Sequence, residues 1–429
     1  MLAAELADVG LYGSIPRFGD LCIHAAVDAR RAYTRADLER AVEAVIQAFP
    51  VFGCRYQKGL FRDRWARVDG PVSDAVHIVD APDDLEAATL RWVHTKIQPD
   101  RDRPLRVVSF NAPDGRSRLL LSVMHLAVDG AGMAAVGQVF GAALYGLPPM
   151  LPVDPRRGLH TVLDRLRAYH LPVLAKDILS VLAQPLFVLA AGKRERPYPA
   201  AEKGPSIRHL TISAADLATL KARVRPHKIS VNDLLIASLA RAASRRSSRG
   251  KLVVLYTMDL RRYAASPRLS AANTSSILTA LVPRDAVHSL ESAARAVADI
   301  TARHRRSFIG PAFVLTPMLL TGATPHALVR RMLFGVHRVA VDLPVSRGLF
   351  VTNVGKIDEG LGPFGDDIEQ IRVLGPNIEG LPIPGIVAYG FRGGLHLELY
   401  VPPGLAPEAG DELAAEVLAG LDLNDPAAA

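Results

Sequence analysis

The sequence has 429 residues, of which 49% are hydrophobic and 22% are charged, and its formal net charge at pH 7 is +8. This composition excludes a largely disordered chain, and the length predicts two large or three small globular domains. A basic balance suits nucleic acid, anionic lipid, phosphorylated cofactors or an acidic carrier protein as partners. Nucleic acid ranks lowest, because no aromatic residues alternate with the basic clusters at 193–196 and 245–246.

Cysteines and apolar segments indicate the compartment. Cys22 and Cys54 are the two cysteines, they form no CxxC motif, and their number excludes a disulfide framework. The N-terminal stretch contains Glu5 and Asp8 and no basic region, unlike a signal peptide. The most apolar segment, 178–192, contains a proline and is shorter than the roughly 20 residues of a spanning helix. We therefore expect a cytoplasmic monomer, and weak contact with a membrane surface stays open.

The first half of the chain predicts helices that alternate with strands. Apolar runs predict strands at 21–26, 51–56, 64–68 and 104–110. A helix should begin after Thr34, which forms a capping-box pattern with Asp37, and should end at Pro50. A second helix is predicted from about 82 to 97. The turn at 111–115, Asn-Ala-Pro-Asp-Gly, then leads into a buried strand that ends at His125.

A proline-rich stretch at 147–155 and a polar stretch at 193–205 interrupt this pattern. We therefore predict an N-terminal lobe over 1–192 with a helical passage at 160–191, a linker at 193–205 and a C-terminal lobe over 206–429. Helices of the second lobe are predicted after Ser213 and Ser230, at 289–305 and at 407–421. Its strands are predicted at 207–212, 251–258, 275–282, 349–352, 368–373, 385–390 and 395–401. The predicted fold class is mixed α/β (α+β).

The stretch from Leu119 to Met133, LLLSVMHLAVDGAGM, is the best candidate for chemistry. Its apolar start predicts a strand that is buried on both faces. His125 follows this strand, and Asp129 and Gly130 lie in a turn from which a helix leaves. Taken alone, the pattern has two equally good explanations. One is a functional histidine and acid, and the other is a core histidine followed by an acid that caps the helix.

Other catalytic and cofactor motifs find no support. The sequence has no HExxH, CxxC, Walker loop or G-x-S-x-G elbow, so we expect no metal and no bound cofactor. The segment 130–135 fits GxGxxA, but the acid at the required distance, Asp154, lies in a proline-rich loop and not at a strand end. A dinucleotide site is therefore rejected.

The segment from His125 to Gly130 resembles the HHxxxDG motif of the CoA-dependent acyltransferase superfamily, and other segments of the chain add to this resemblance. This superfamily includes nonribosomal-peptide condensation domains, wax ester synthases, alcohol acetyltransferases and polyketide-associated acyltransferases. Met124 stands where the motif has its first histidine. Further segments resemble family landmarks in the family order, and they are FPVF at 49–52, PL at 104–105, VNDLLIA at 231–237, MDLR at 258–261 with Asn273 after it, and TNVG at 352–355.

The resemblance implies two similar chloramphenicol-acetyltransferase-like lobes in a V, with a central substrate tunnel. An acyl thioester, on CoA or on the phosphopantetheine of an acidic acyl carrier protein, would enter from one side and an alcohol or amine from the other. His125 would be the general base. Asp129 would be structural and paired with Arg261, and Gly130 would permit a tight turn or close packing. Asn273 and Asn353 are candidates for the tunnel wall or for oxyanion donors.

The chemistry of histidine agrees with this role. An unperturbed histidine titrates near pH ~6.5, so its neutral form is available to remove a proton from an attacking alcohol or amine. A thioester is already activated, so no nucleophilic cysteine or serine is required. Met124 is the departure from the motif, and it lies on the opposite face of the strand from His125.

Two functions follow from these observations. The first is a stand-alone acyltransferase of secondary or lipid metabolism, which makes an ester or an amide from an acyl thioester. Apolar segments at 178–191 and 311–320 weakly favour a fatty or polyketide acyl group, although core helices explain them better. The second is a non-catalytic scaffold or binding protein with the same fold. The presence of His125, Asp129 and Arg261 favours the first.

Overall fold

The computed structural model describes residues 1–19, 21–80, 82–158, 170–190, 206–247, 250–264, 266–332, 349–375, 384–401 and 408–423. The predicted linker at 193–205 and the start of the helical passage at 160–191 lie outside the described residues. The boundary between the two lobes therefore stays a prediction.

Helices and strands alternate along most of the chain. The helices are α1 Leu6–Phe18, α2 Arg35–Ala48, α3 Leu85–His94, α4 Gly130–Leu144, α5 Leu171–Ala190, α6 Ala214–Val224, α7 Val231–Arg246, α8 Leu290–Arg306, α9 Ile309–Thr321 and α10 Glu408–Gly420. The strands are β1 Leu2–Ala3, β2 Cys22–Ala29, β3 Cys54–Gln57, β4 Arg64–Arg67, β5 Val76–Asp80, β6 Leu105–Asn111, β7 Ser117–Met124, β8 Val153–Asp154, β9 Ser206–Ile212, β10 Lys251–Asp259, β11 Leu269–Ser270, β12 Ser275–Pro283, β13 Leu349–Lys356, β14 Ile368–Leu374, β15 Gly385–Phe391 and β16 Gly394–Val401.

Two mixed sheets organise these elements. The first has the order β14-β2-β7-β6-β5, and the second has the order β12-β10-β13-β15-β16-β9. Each sheet combines parallel and antiparallel neighbours, since β5 is parallel to β6 and β10 is parallel to β13, whereas β7 is antiparallel to β2. The prediction of a two-lobed mixed α/β fold is confirmed. No helix among the described residues is long and apolar enough to cross a membrane.

Helices α2 and α4 cover one face of the first sheet, and α3 covers the other. Thr34 and Asp37 form the predicted capping box at the start of α2. The apolar stripe of α2 is buried in the same core cluster as Leu121 of β7 and Val136 of α4. Leu120, the neighbour of Leu121, faces the opposite side with Ala88 of α3. The sheet is thus buried on both faces, as the apolar run of β7 predicts.

Helix α7 forms the centre of the second lobe. Ser230 and Asp233 form a capping box at its start. Leu234, Leu235 and Ile236 are at most 2% exposed, so the helix is buried on nearly all sides. The hydroxyl of Ser238 donates to the carbonyl oxygen of Val417 in α10 at 2.7 Å, which satisfies a polar group in this interior.

One strand of the second half belongs to the first sheet. The sequence placed 368–373 in the C-terminal lobe, but β14 pairs antiparallel with β2. On β14, Arg372 forms ion pairs with Glu398 of β16 at 3.2 Å and with Glu86 of α3 at 2.7 Å. The crossing strand and these ion pairs tie the two lobes together.

A buried histidine in β2 should make the protein acid-sensitive. His24 is 1% exposed, and its Nδ1 lies 2.9 Å from Ser122 Oγ. Burial, with the nearby charges of Arg106 and His94, lowers the pKa of His24 from 6.5 to about 3. Between these values the unfolded chain takes up a proton that the folded protein does not. The free energy of unfolding therefore falls as the pH drops below 6.5, by about 1.4 kcal/mol per pH unit from this group.

We expect the wild type to lose about 2 kcal/mol more stability than His24→Gln between pH 7 and pH 5. Urea unfolding of both proteins at the two pH values measures this difference. Equal losses would show that the His24 side chain is protonated in the folded protein.

Candidate active site

Backbone hydrogen bonds fix the end of β7, where His125 lies. The N–H of Met124 donates to the carbonyl oxygen of Pro104 at 3.0 Å. The N–H of His125 donates to the carbonyl oxygen of Leu21, also at 3.0 Å. The His125 side chain is half-buried, so a positioned imidazole remains within reach of solvent and of a ligand.

Asp129 begins α4 as its N-cap. Its Oδ1 accepts a hydrogen bond from the N–H of Gly132 at 2.9 Å. This contact satisfies one of the amide groups that a helix leaves free at its start. If it were the only contact of the carboxylate, Asp129 would be explained as an ordinary helix cap.

The same carboxylate also forms a two-pronged ion pair with Arg261. Nη2 of Arg261 lies 2.9 Å from Oδ1 of Asp129, and Nη1 lies 3.0 Å from Oδ2. Asp129 is 1% exposed, so the pair is buried. This is the contact that the family resemblance implied. It joins the turn after β7 to the 3₁₀ turn Leu260–Tyr263 that follows β10 of the second sheet.

Segment 270–275 completes the surroundings of this ion pair. Oδ2 of Asp129 accepts from the N–H of Thr274 at 2.9 Å and from the hydroxyl of Ser275 at 2.8 Å. Arg261 donates to the carbonyl oxygens of Ser270 and Ala272 at 3.2 and 2.9 Å. No sequence pattern predicted these residues, and their one signal was their position beside Asn273.

These contacts hold both groups in their charged forms. Burial alone would raise the pKa of the Asp129 carboxyl, but the charge of Arg261 and the hydrogen bonds outweigh it, so the pKa lies below its ordinary value. Burial alone would lower the pKa of Arg261, but the carboxylates of Asp129 and Asp259 raise it. Both carboxylate oxygens of Asp129 accept hydrogen bonds from protein groups, which supports the structural role expected for it.

Asn273 links the same segment directly to His125. Its Oδ1 lies 3.1 Å from Nδ1 of His125. Its Nδ2 donates to the backbone carbonyl oxygens of His125 and Leu126, at 2.8 and 3.1 Å. The two carbonyl acceptors use both amide hydrogens and fix the amide orientation, so Oδ1 is the atom that faces the imidazole.

This orientation fixes the tautomer of His125. Because Oδ1 of Asn273 can only accept, Nδ1 of the neutral imidazole must carry the hydrogen. Nε2 then has a free lone pair and can accept a proton. The amide hydrogens of Asn273 are already engaged, which speaks against an oxyanion donor, and its candidate place in the tunnel wall stays a prediction. Asn273 instead orients His125.

Among the described residues, Asn353 forms no hydrogen bond with the residues of this site. Asn353 lies on β13, and its Oδ1 accepts from the N–H of Gly355 at 2.9 Å. Gly355 has a φ of +88°, and the pairing register with β15 shifts between these two residues. Asn353 therefore shapes a bulge in β13, and its assignment as an oxyanion donor stays a prediction.

Met124 is a core residue. It is fully buried and packs in the apolar cluster of the first lobe, with Cys22 opposite it on β2. The side chain therefore points away from the half-buried imidazole of His125, as strand alternation predicts. Met124 therefore contributes to the core of the first lobe.

Gly132, and not Gly130, is the glycine that close packing requires. An added Cβ at Gly130 would lie 3.8 Å from its nearest neighbour, a Val354 methyl group, which is an ordinary contact. At Gly132 it would lie 2.2 Å from a Val128 methyl group and 3.3 Å from Nη2 of Arg261. Close packing against the ion pair therefore occurs at Gly132 and not at Gly130, and the tight turn stays the role predicted for Gly130.

Gly132→Ala is expected to destabilise the protein by about 1–3 kcal/mol, because the new methyl group overpacks the contact with Val128 and Arg261. Gly130→Ala is the matched control and should leave stability unchanged or slightly higher. Urea unfolding of both variants checks this. If the two variants were equally stable, the close approach at Gly132 would be wrong.

Comparisons with known proteins agree with this architecture. No family model and no curated protein matches the sequence. The TRI3 trichothecene 15-O-acetyltransferase from Fusarium sporotrichioides is similar in structure, with a TM-score of 0.72 and 11% identity over 98% of this chain and 94% of that chain. The first condensation domain of the CDA synthetase gives a TM-score of 0.66 and 16% identity, over 98% and 96% of the two chains.

A third solved structure extends the likeness. The EpoB NRPS cyclization-docking bidomain from Sorangium cellulosum gives a TM-score of 0.65 and 14% identity, over 98% of this chain and 83% of that chain. At such identities the likeness establishes the fold. The chain therefore has the fold of these condensation and acetyltransferase structures, as the resemblance of its segments had indicated.

Proposed function

We propose that this protein is an acyltransferase that moves an acyl group from a thioester to an alcohol or an amine, with His125 as the general base. The observation that carries the proposal is the contact between Asn273 and His125. It leaves Nε2 of the imidazole unprotonated and holds the ring in one orientation. A general base needs both properties.

The reaction needs one proton acceptor and no covalent intermediate. The acceptor hydroxyl or amine attacks the thioester carbonyl carbon while Nε2 of His125 removes its proton. The tetrahedral intermediate then expels the thiolate as the C–S bond breaks, and the imidazolium returns the proton to the sulfur. The products are an ester or an amide and a free thiol, and the histidine regains its starting form.

The two cysteines do not offer a competing nucleophilic mechanism. Cys22 and Cys54 are 0% and 4% exposed. Burial raises the pKa of the Cys54 thiol, which disfavours the reactive thiolate. Direct attack by the acceptor on an activated thioester is therefore the simpler chemistry for this site.

The donor is either acyl-CoA or an acyl group on a carrier protein. The similar structures include an acetyltransferase and domains of nonribosomal peptide synthetases. The net charge of +8 suits both donors, because CoA is anionic and a carrier protein of acidic surface would be attracted. A scaffold without catalysis is the second candidate, but it gives no reason for a fixed histidine tautomer.

An acceptor-dependent release of thiol tests the proposal. Acyl-CoAs and acyl groups loaded on carrier proteins are supplied with a panel of alcohols and amines. The expected result is thiol release that requires both donor and acceptor and yields the ester or amide by mass. Hydrolysis alone, or no release from either class of donor, would contradict it.

Asn273→Ala is expected to lower kcat/KM roughly tenfold, the equivalent of one hydrogen bond of about 1.4 kcal/mol. The imidazole would then be free to rotate and to place its hydrogen on either nitrogen. The acid limb of the pH–rate profile should also move in Asn273→Asp, because a carboxylate favours the protonated imidazole. An unchanged pH profile in Asn273→Asp would show that this residue does not act through His125.

A further inference from the structure

An apolar cavity of about 150 Å³ begins beside the candidate active site. It lies between the face of β2 and β7, helix α4 and the segment 354–364 that leads from β13 to β14. Gly130, which follows Asp129 directly, is part of its wall. The cavity therefore extends from the turn that carries His125 into the first lobe.

Helix α4 presents small residues to this cavity. Gly130, Ala134 and Gly137 all line it, and their spacing places them on one face of the helix. A Cβ added at Gly137 would meet no atom within 4 Å. The space directly in front of Gly137 is thus open to an added side chain.

The Gln138 side chain places a buried polar atom in the apolar wall. Among the described residues around the cavity, Gln138 and Lys356 have polar side chains, and Lys356 is exposed. Oε1 of Gln138 is buried and has no hydrogen-bond partner in the described part of the chain. A buried polar atom without a partner is unfavourable, so this position is suited to a ligand that supplies one.

The position of Gln138 sets where that ligand group must lie. Gln138 lies eight positions after Gly130, which is about 12 Å along the helix. The amide of glutamine carries both an acceptor and donors, so a hydroxyl group satisfies it in either orientation. A cavity of this volume holds roughly six non-hydrogen atoms, as many as the benzene that fits an engineered cavity of that size, so it takes the far part of a chain whose first carbons lie in the turn beside His125.

We propose that this cavity binds a medium-length acyl chain of the thioester donor, and that Gln138 selects chains with a hydroxyl group near their far end. The inference rests on the proposed acyl transfer. The thioester carbonyl would lie near His125, the chain would pass the small residues of α4, and its hydroxyl would meet the Gln138 amide.

Binding measurements separate this inference from the proposed reaction. Calorimetric dissociation constants are measured for acetyl-CoA, octanoyl-CoA and octanoyl-CoA with a hydroxyl on its terminal carbon. Wild type is expected to bind the hydroxylated chain roughly tenfold more tightly than octanoyl-CoA, and Gln138→Leu should remove this preference. These constants do not require turnover, so a protein without transferase activity can still support the inference.

Variants with a larger side chain at Gly137 give a second test of the same inference. Gly137→Phe is expected to weaken both eight-carbon donors by roughly tenfold or more while acetyl-CoA binds as in wild type. Gly137→Leu replaces the phenylalanine variant if that variant unfolds. The inference is overturned if the filled variants bind octanoyl-CoA normally, or if Gln138→Leu keeps the preference for the hydroxylated chain.

Discussion

Replacing His125 by alanine is expected to slow acyl transfer by about 10²–10⁴-fold, the usual contribution of a positioned general base. The imidazole is the group that Asn273 orients, and alanine leaves no proton acceptor at this position. The fold should survive, because the His125 side chain is half-buried and the backbone contacts to Leu21 and Asn273 do not involve it. The measurement is kcat/KM for thiol release, with the melting temperature recorded for the same samples.

A matched control keeps this result specific. His227 is an exposed histidine outside the site, and His227→Ala should retain full activity. Equal rates in wild type and His125→Ala would remove His125 from the mechanism. A loss of rate together with a large fall in melting temperature would instead assign the residue to the fold.

Asp129→Asn is expected to destabilise the protein by about 3–5 kcal/mol, as is typical when one partner of a buried ion pair is removed. The variant leaves the charge of Arg261 buried without a carboxylate. It also replaces one acceptor oxygen by an NH₂ group, although five hydrogen-bond donors point at this side chain. These donors are two nitrogens of Arg261, two backbone amides and the Ser275 hydroxyl. Urea unfolding measures the loss, and activity should fall with it, because the turn that carries His125 loses its tie to the second lobe.

The same pair gives a signature in acid. The pKa of the Asp129 carboxyl is lower in the folded protein than in the unfolded chain. Its contribution to stability is therefore present above the unfolded value of about 3.9 and is lost as the pH falls through the folded value. The difference between wild type and Asp129→Asn should shrink below about pH 4.

An exposed acid serves as the comparison for Asp129. Asp114 pairs with Arg116 at the surface, and Asp114→Asn should leave the melting temperature nearly unchanged. If Asp129→Asn lost activity while keeping wild-type stability, the structural role of Asp129 would be wrong.

Local sequence patterns predicted much of the fold. The capping box at Thr34 located the start of α2, because such a cap depends only on neighbouring residues. The apolar run before His125 located β7. The contact between Asp129 and Arg261, which are 132 residues apart, came from the resemblance to a family, because spacing along the chain carries no information on a partner so distant.

Other features depended on packing that no local pattern records. Helix α1 was not predicted, since Pro16 lies inside it and its apolar residues form no clear stripe. The exchange of β14 into the first sheet was also missed, because a strand's own residues do not state which sheet it joins. The contact of Asn273 with His125 was not predicted, since only the structure shows how both amide hydrogens are used.

The most direct measurement is a single turnover with a bound acyl thioester and an acceptor, which separates binding from chemistry. Wild type and His125→Ala are compared for the affinity of the donor and for the rate at which the ester or amide forms. We expect equal affinities and a product-forming rate lower by about 10²–10⁴-fold in the variant. Product formation at the same rate in both proteins would contradict the assignment of His125 as the general base.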